Sequence, residues 1–552
     1  VTRHRRTYGW TTFDQFNFNY RKGGFDLSGT LFGGRFRNGN NQQIGMKTYL
    51  DKLWEQKMDA SYGKNSNSNV QGILSLNYQF NEKHSMGVRY DMDKYFNSSG
   101  DWRYTANIYA DQELYENNTS TMIGEDPSTR HSLNYYYNGQ IGDWNIDFNA
   151  DGLWNVKEES QHTREITNGE TENDVNTFNK NNGTLYATKL IVSYPLWKGN
   201  LSFGGEYSHT SRTNLYHNQE GILDNDDSKI KEGSTAAFMD YSHSFGKVDV
   251  QAGVRYENVK FDYYEQGKHI DKQSRTFNNV FPSVNINFPI GKTQIQLSYS
   301  GGITRPFKQK TAYEMLRGNI YYGNRYTYQT GNPFLKPIIN QDLIFSASYK
   351  WVNFSFTYNR TKDDIIQVCE PYSEADPTIS LLKTVNTEPY NNIISAITLS
   401  PTISWWSPQL TAQVFKQWLH AEGPDGKLTL SKPRTIIVWR NSFTLPAGFL
   451  FDVDGTYYTK GHSQNMYMGI NSLNVSMGLY KSFFKERLSF QLQVTNLFET
   501  DDVDCTIYSG IKTMTDYITN FRRISLTMRY KFNATKSKYK GTGAGESQKN
   551  RM

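Results

Sequence analysis

The stretch RISLTMRYKF, residues 523–532, alternates between apolar and polar side chains along its whole length. Ile524, Leu526 and Met528 fall on one face, and the residues between them are polar. A side-chain period of two is typical of a β-strand with one apolar face and one polar face. Residues 16–20, FNFNY, alternate in the same way. A closed sheet with an apolar outside and a wet inside lets such strands cross a bilayer, because closure leaves no backbone group unpaired.

The composition favours a membrane barrel over a disordered chain or a helical membrane protein. Aromatic residues make up 15% of the 552 residues, whereas disordered chains are poor in them and outer-membrane barrels carry them in girdles at both interfaces. The mean hydropathy is −0.71, and no apolar run approaches the roughly 18 residues of a membrane helix. A barrel keeps this mean low because only one face of each strand needs to be apolar.

Charge and cysteine usage exclude several classes of function. The net charge of +6 is modest, and no basic stripe of the kind found on nucleic-acid binders is present, so we expect no nucleic-acid partner. The two cysteines, Cys369 and Cys505, exclude a disulfide framework and a cysteine-rich metal site. Both fall in predicted outer loops, where they either stay free or pair with each other. The basic cluster at 3–6 is interpreted as part of a chain junction.

Ten short turns alternate with ten long loops and predict twenty-one strands. The short turns, from Lys22–Gly24 to Ser482–Glu486, are mostly rich in Gly, Pro and Asn. The long loops include 158–183 and 305–337. Bacterial barrels have an even strand count, short periplasmic turns and long extracellular loops. We therefore predict an all-β fold, a transmembrane antiparallel up-and-down β-barrel with about 21 strands visible of 22, and interpret Thr7–Trp10 as a remnant of the first strand.

Three short motifs resemble signatures of the TonB-dependent outer-membrane receptors. SGGITRP at 300–306 is followed by GNPFLKP at 331–337, and VTNLF stands at 494–498 near the C-terminus. The motif residues are Thr304, Arg305, Pro306, Gly331, Asn332, Pro333, Asn496, Leu497 and Phe498. Residues 1–3 resemble the end of the segment that closes the family's plug domain. The glycine-rich run at 540–545 resembles a polar extension in a branch of the family common in Bacteroidetes.

The resemblance implies a twenty-two-stranded barrel in the outer membrane of a Gram-negative cell. Its implied partners are the outer-membrane lipid, a plug domain in the lumen, and the TonB complex, which contacts the plug. This chain shows no plug, and an unplugged lumen of that size would be a wide aqueous hole. We therefore expect a plug/barrel junction remnant at 1–10, the barrel at 11–533, and a polar periplasmic tail at 534–552, as parts of a larger protein. A surface lipoprotein is a further candidate partner.

The predicted function is transport. The barrel would form the channel wall and the ligand-capturing loops of a TonB-dependent-type receptor that imports a large or scarce nutrient. The alternative is a plugless outer-membrane protein with a structural or interaction role, or a passive pore. We expect no enzymatic activity, no cofactor and no metal site, because the sequence contains neither H-E-x-x-H nor G-x-S-x-G. Acidic clusters at 224–227 and 501–504 are interpreted as solvated loops rather than calcium sites.

The most aromatic outer loop, residues 312–328, is the predicted ligand-binding region, because Tyr and Arg are favoured at recognition surfaces. The second long loop contributes further rings. The candidate residues are Tyr313, Tyr321, Tyr322, Arg325, Tyr326, Tyr328, Trp102 and Tyr104. The alternative interpretation is that these rings pack one loop against another.

Overall fold

A computed structural model describes residues 2–6, 10–38, 41–62, 65–304, 320–321, 323–532 and 537–549. Almost all of this part of the chain is β-strand, and nearly all neighbouring strands pair antiparallel. Within the same ranges no helix is long and apolar enough to cross a membrane.

The strands follow one another along the chain with few other elements. The first eighteen are β1 (Thr2–Arg6), β2 (Trp10–Lys22), β3 (Phe25–Asn38), β4 (Asn41–Tyr49), β5 (Leu53–Tyr62), β6 (Asn65–Gln79), β7 (His84–Ala110), β8 (Glu113–Glu125), β9 (Ser128–Ile141), β10 (Trp144–Thr167), β11 (Glu170–Leu196), β12 (Gly199–Asn218), β13 (Asp226–Phe245), β14 (Val248–Glu265), β15 (Lys268–His269), β16 (Arg275–Ile290), β17 (Thr293–Thr304) and β18 (Ile320–Tyr321). The others are β19 (Thr327–Gln329), β20 (Ile338–Tyr349), β21 (Val352–Lys362), β22 (Ile365–Pro371), β23 (Ser380–Asn386), β24 (Tyr390–Leu399), β25 (Trp406–Gln417), β26 (Leu419–Gly423), β27 (Gly426–Leu430), β28 (Arg434–Leu445), β29 (Phe449–Tyr458), β30 (Gly461–Ser463), β31 (Met466–Met468), β32 (Ser472–Phe483), β33 (Leu488–Thr495), β34 (Val503–Ser509), β35 (Lys512–Thr519) and β36 (Arg523–Tyr530). A 3-10 turn occupies Pro446–Gly448, and a short helix, α1, occupies Glu546–Lys549.

Twenty-two of the described strands pair in an uninterrupted antiparallel ring. In order around the ring they are β1, β2, β3, β6, β7, β9, β10, β11, β12, β13, β14, β16, β17, β20, β21, β24, β25, β28, β29, β32, β33 and β36. The predicted barrel is confirmed, with the twenty-second strand present.

The closing strand is β1. Thr2 is paired with Asp14 of β2 on one side and with Met528 of β36 on the other. We predicted a remnant at Thr7–Trp10, but the strand lies at 2–6, and Trp10 already belongs to β2. The run TRHRR at 2–6 is basic and has no apolar alternation, so only its backbone pairing with both neighbours defines it as a strand.

Large apolar side chains cover the outside of the ring. On the last strand, Leu526 and Met528 are 47% and 44% exposed, and the polar residue between them is less exposed. The exposed aromatic residues next to the short turns are Tyr20, Phe80, Trp144, Trp197, Phe245, Tyr349, Trp351, Trp405, Phe483 and Phe484, and Phe532 is exposed just after β36. They form one of the two aromatic girdles expected at the membrane interfaces. The predicted alternation is therefore confirmed along the wall.

Several long loops are continuations of strands. The span 158–183 is mostly strand, because β10 runs to Thr167 and β11 begins at Glu170. On the same side of the barrel, β4, β5, β8, β34 and β35 pair with one another and with the upper parts of β7 and β10. We call these five strands, with residues 100–110 and 160–167, the outer wall. They extend the sheet beyond the roughly 9–11 residues that a membrane-crossing strand needs.

Candidate functional site: a folded cap at the barrel mouth

A separate four-stranded sheet lies at the long-loop end of the barrel. It consists of β18, β19, β23 and β22, and we call it the cap sheet. The first two strands come from the loop between β17 and β20, and the other two come from the loop between β21 and β24. The two loops are joined by parallel pairing, with Thr327 opposite Ser380 and Gln329 opposite Leu382. Two segments about fifty residues apart therefore form one folded unit.

One face of the cap sheet packs against the outer wall in an apolar cluster. Its buried members are Ile44, Met46, Met58, Ala60, Tyr104, Ala106, Ile108, Met122, Cys369, Leu382, Ile507 and Met514. Cys369 and Leu382 belong to the cap sheet, and the other residues belong to the outer wall. Trp54, Trp102, Tyr326 and Met466 pack around this cluster. Burial of this surface from water is the main force that holds the cap in place.

The opposite side of the cap sheet contacts β11 and β12. Tyr321 is fully buried, and Tyr328 is 8% exposed. They pack with Val175, Tyr216 and Leu223, and the two tyrosine ring centroids are 5.8 Å apart. Because wall residues cover it on two sides, the cap sheet is held as a buried layer rather than as a free loop.

The position of Glu165 shows that the cap lies on the lumen side of the wall. On β10, Leu153, Thr163 and Glu165 share one face and are fully buried, whereas Trp154 and Val156 on the other face are exposed. Residues two apart on a strand point to the same side. Since the cap contacts Glu165, it fills part of the barrel mouth from within.

Glu165 is the most heavily bonded carboxylate in the cap interface. It accepts hydrogen bonds from the Tyr321 hydroxyl and the Asn118 side chain. Asn173 Nδ2 donates to it at 3.2 Å, and so does the backbone N–H of Arg325. Burial raises the pKa of the Glu165 carboxyl, and these donors oppose that shift. Buried carboxylates need such partners, because an unpaired charge would cost several kcal/mol.

A second carboxylate, Glu116, binds the neighbouring part of the cap. It is 5% exposed and accepts hydrogen bonds from Arg325 Nη2 at 2.5 Å and from the Tyr326 hydroxyl at 2.9 Å. The Arg325 guanidinium also lies over the Tyr326 ring, 5.2 Å from its centroid. Burial raises the pKa of Tyr326 to about 12, so its hydroxyl keeps its proton and acts as a donor.

Lys512 is the buried cation of the interface. Its side chain is fully buried, and Nζ donates to Thr48 Oγ1 at 2.6 Å, Ser380 Oγ at 3.1 Å and Thr378 O at 3.3 Å. No carboxylate of the described residues lies within salt-bridge distance of it. Burial lowers its pKa to about 8, because an ammonium surrounded by neutral acceptors loses its hydration.

The family motifs lie at the rim and support the loops. Asn332 donates to Thr384 O at 2.9 Å and so ties the first cap loop to β23. The Arg275 guanidinium donates to the carbonyl of Pro333 at 2.8 Å. Asn496 has a left-handed backbone conformation, with φ of 54°, and its side chain donates to Asn520 O at 2.8 Å.

The remaining motif residues have simpler positions. Gly331 lies between β19 and β20, and Thr304 is the last residue of β17. The backbone N–H of Leu497 donates to Val475 O at 2.8 Å. The Phe498 side chain is 59% exposed. Arg305, Pro306, Tyr313 and Tyr322 fall outside the described residues.

The structure brings six of the eight candidate ligand residues together. Tyr321, Arg325, Tyr326 and Tyr328 carry the cap contacts, and Trp102 and Tyr104 lie in or beside the apolar cluster. In this closed arrangement their rings pack loop against loop. The sequence reasoning missed Glu116, Glu165 and Lys512. A charged residue in a polar outer segment gives no local signal of burial, since its partners come from loops far away in sequence.

Both cysteines are free thiols. Cys369 is fully buried in the cap cluster, and burial raises its pKa. Cys505, on β34, is partly exposed, and burial raises its pKa to about 11. The described residues contain no group of three or more His, Cys, Asp or Glu side chains placed to hold a metal ion.

The described fold defines a class of protein, the transmembrane β-barrel with an extracellular cap. The family model of the outer membrane protein beta-barrel family matches residues 142–530. The chain belongs to this family, and the protein resides in the outer membrane of a Gram-negative cell. No curated protein sequence matches the chain significantly.

Solved structures with a similar fold are outer-membrane receptors and transporters. The FrpB iron transporter of Neisseria meningitidis has a TM-score of 0.54 at 10% identity, covering 96% of this chain and 81% of that one. The outer membrane transporter YddB of Escherichia coli has a TM-score of 0.52 at 11% identity, covering 91% and 75%. The siderophore receptor PirA of Acinetobacter baumannii has a TM-score of 0.51 at 12% identity, covering 96% and 80%. At such identities the likeness concerns the fold.

Proposed function

We propose that this barrel is the membrane part of a surface receptor that captures a large or scarce nutrient and imports it with energy from the TonB complex. A plug domain in the lumen would gate the channel and contact TonB, and a surface lipoprotein is a candidate helper in capture.

The cap sheet is the observation that carries this proposal. Two separate loops join through β19 and β23, and buried Glu116, Glu165 and Lys512 fix the joined sheet in the mouth. A folded layer across the entrance restricts the free passage of solutes, which favours a receptor over an open passive pore. A receptor needs a surface that closes the mouth and changes when its ligand is present.

A nutrient-limited growth experiment tests the proposal. A strain that lacks the gene should fail to grow on limiting amounts of one member of a panel of ferric siderophores, cobalamin, glycans and peptides. Deletion of TonB should give the same defect. Unchanged growth on every member, together with a large steady current from the purified native protein in planar bilayers, would instead identify a passive pore.

The region Tyr321–Tyr328 should be required for capture. Deleting it removes both cap residues that bind Glu116 and the two cap donors of Glu165, and leaves the ring of membrane strands unaltered. We expect ligand binding to be lost while heat-modifiable gel mobility, which reports barrel assembly, stays unchanged. Unaltered affinity in an assembled deletion variant would remove this region from the capture site.

A further inference from the structure

Residues 537–549 lie inside the barrel, against side chains that face the lumen. Asn134, which accepts a hydrogen bond from the Tyr539 hydroxyl, is flanked on β9 by Leu133 and Tyr135, which are exposed on the outer face. Near the beginning of the segment, Lys538 N donates to Asp26 Oδ1 at 3.2 Å. The glycine-rich run that had no assigned role in the sequence is part of this segment. The domain boundaries predicted at 10 and 533 stay a prediction.

Four consecutive backbone N–H groups of the segment are bound by wall side chains. Those of Thr542 and Gly543 donate to Asn149 Oδ1 at 3.1 and 3.0 Å. The Ala544 N–H donates to Asp151 Oδ2, and the Gly545 N–H donates to Glu206 Oε1 at 3.0 Å. Asn149 Nδ2 in turn donates a hydrogen bond to Thr542 Oγ1 at 3.0 Å. These side-chain acceptors satisfy the backbone N–H groups of a segment that is not paired in a sheet.

The glycines fit this position because of their backbone and their size. Gly543 and Gly545 have φ of 80° and 61°, a region that other residues rarely adopt. A Cβ added to Gly545 would lie 2.7 Å from the Ala187 Cβ. Between these glycines, Ala544 is 1% exposed and packs in a small cluster with Leu153, Leu185 and Ala187.

An ion pair holds the end of the segment. Lys549 Nζ lies 2.9 Å from Asp151 Oδ1, and the two side chains are only 13% and 2% exposed. Asp151 Oδ1 also accepts a hydrogen bond from Asn134 Nδ2 at 2.8 Å. The wall therefore offers carboxylates and amide oxygens to a segment that carries lysines, which is charge complementarity of the kind found at binding sites.

We propose that the lumen face of β9–β12 is a docking site for a glycine-rich, lysine-bearing chain segment, that residues 537–549 are its resident occupant, and that the docked segment is a strap that narrows the lumen. The proposal applies equally to a receptor and to a pore. Its failure would leave the proposed function unaffected, because the strap contacts the membrane part of the wall and the cap does not depend on it.

Trypsin cleavage and planar-bilayer conductance test the strap. In the folded chain, cleavage after Lys538 should be slow, because a protease cannot follow a segment into the lumen. Gly545→Val, which overlaps Ala187, and Asn149→Ala, which removes the acceptor of two backbone amides, should each undock the strap and speed cleavage about tenfold or more. Lys540→Ala is the matched control, since that side chain is exposed and should leave the strap docked.

The two undocking variants should also carry a larger steady current than the unaltered chain and the control. Unchanged heat-modifiable mobility would show that each barrel has assembled. Removal of residues 537–552 should give the largest current of the series. Cleavage of the unaltered chain as fast as that of Gly545→Val would overturn the proposal. Equal current with and without these residues, measured on the barrel without a plug domain, would overturn it as well.

Discussion

The membrane wall and the cap use the same strand alternation in opposite ways. In the wall, large apolar residues such as Leu526 are on the outside, where lipid covers them. In the cap interface, apolar residues such as Leu382 are 2% exposed and pack against other parts of the protein. The difference comes from the medium outside each region. A strand face in lipid is already covered, whereas a strand face above the membrane must find a protein partner to leave water.

The largest expected effect is that of truncating the cap core. Leu382→Ala should destabilise the cap by about 2–5 kcal/mol, because a cavity forms where neighbouring side chains cannot close it. The matched control is Leu526→Ala, where lipid chains fill the space, so we expect a much smaller change. Hydrogen exchange of the cap-sheet amides measures the first change, and folding into lipid vesicles in a denaturant series measures the second. Equal costs would mean that the two apolar environments do not differ.

Placing an arginine on β36 tests which of its side chains face lipid more sharply than truncating Leu526 does. Leu526→Arg near the midplane should cost about 2–4 kcal/mol, because the guanidinium would enter lipid. Thr527→Arg points to the lumen and should cost much less. Folding of the two variants into lipid vesicles in a denaturant series gives both values. Similar destabilisation at both positions would contradict the register in which Leu526 faces lipid.

A smaller loss of cap stability is expected when the hydrogen bond between Tyr321 and Glu165 is removed. Tyr321→Phe removes one of the donors to the buried Glu165 carboxylate, and a hydrogen bond to a charged group contributes about 1.5–3 kcal/mol. Tyr372→Phe on the same cap is the control, because that residue is 39% exposed. The rate of maleimide reaction at Cys369, in a chain with Cys505→Ser, reports cap opening. Equal rates in both variants would show that the Glu165 contact does not hold the cap.

The smallest expected effect is a pH dependence from Lys512. Burial lowers its pKa from 10.5 to about 8 in the folded cap. Between these values the unfolded cap binds more protons than the folded one, so the free energy of cap unfolding should rise with pH. Hydrogen exchange at pH 8 and pH 9, corrected for intrinsic rates, measures this rise. Lys512→Met should abolish the part of the slope that Lys512 contributes, and an identical slope in both chains would assign it elsewhere.

The sequence was sufficient for the wall because the wall depends on local pattern. The alternation in residues 523–532 is enough to assign each side chain to the lipid face or the lumen face. The number of strands follows from the number of short turns and long loops. The closing strand β1 was misplaced, since five basic and polar residues carry no period. The cap could not be predicted, because the pairing of Thr327 with Ser380 and the burial of Glu165 and Lys512 depend on contacts between distant loops.

The reactivity of Cys369 tests the central claim, that a folded cap closes the mouth of this barrel, most directly. Cys505→Ser leaves Cys369 as the single thiol, and it lies fully buried between the cap sheet and the outer wall. A membrane-impermeant maleimide added to outer membranes should label it very slowly in the unaltered cap. It should react at the rate of an exposed thiol once Tyr321–Tyr328 are deleted. Rapid labelling of Cys369 with the cap region intact would show that the mouth is open and would contradict the account.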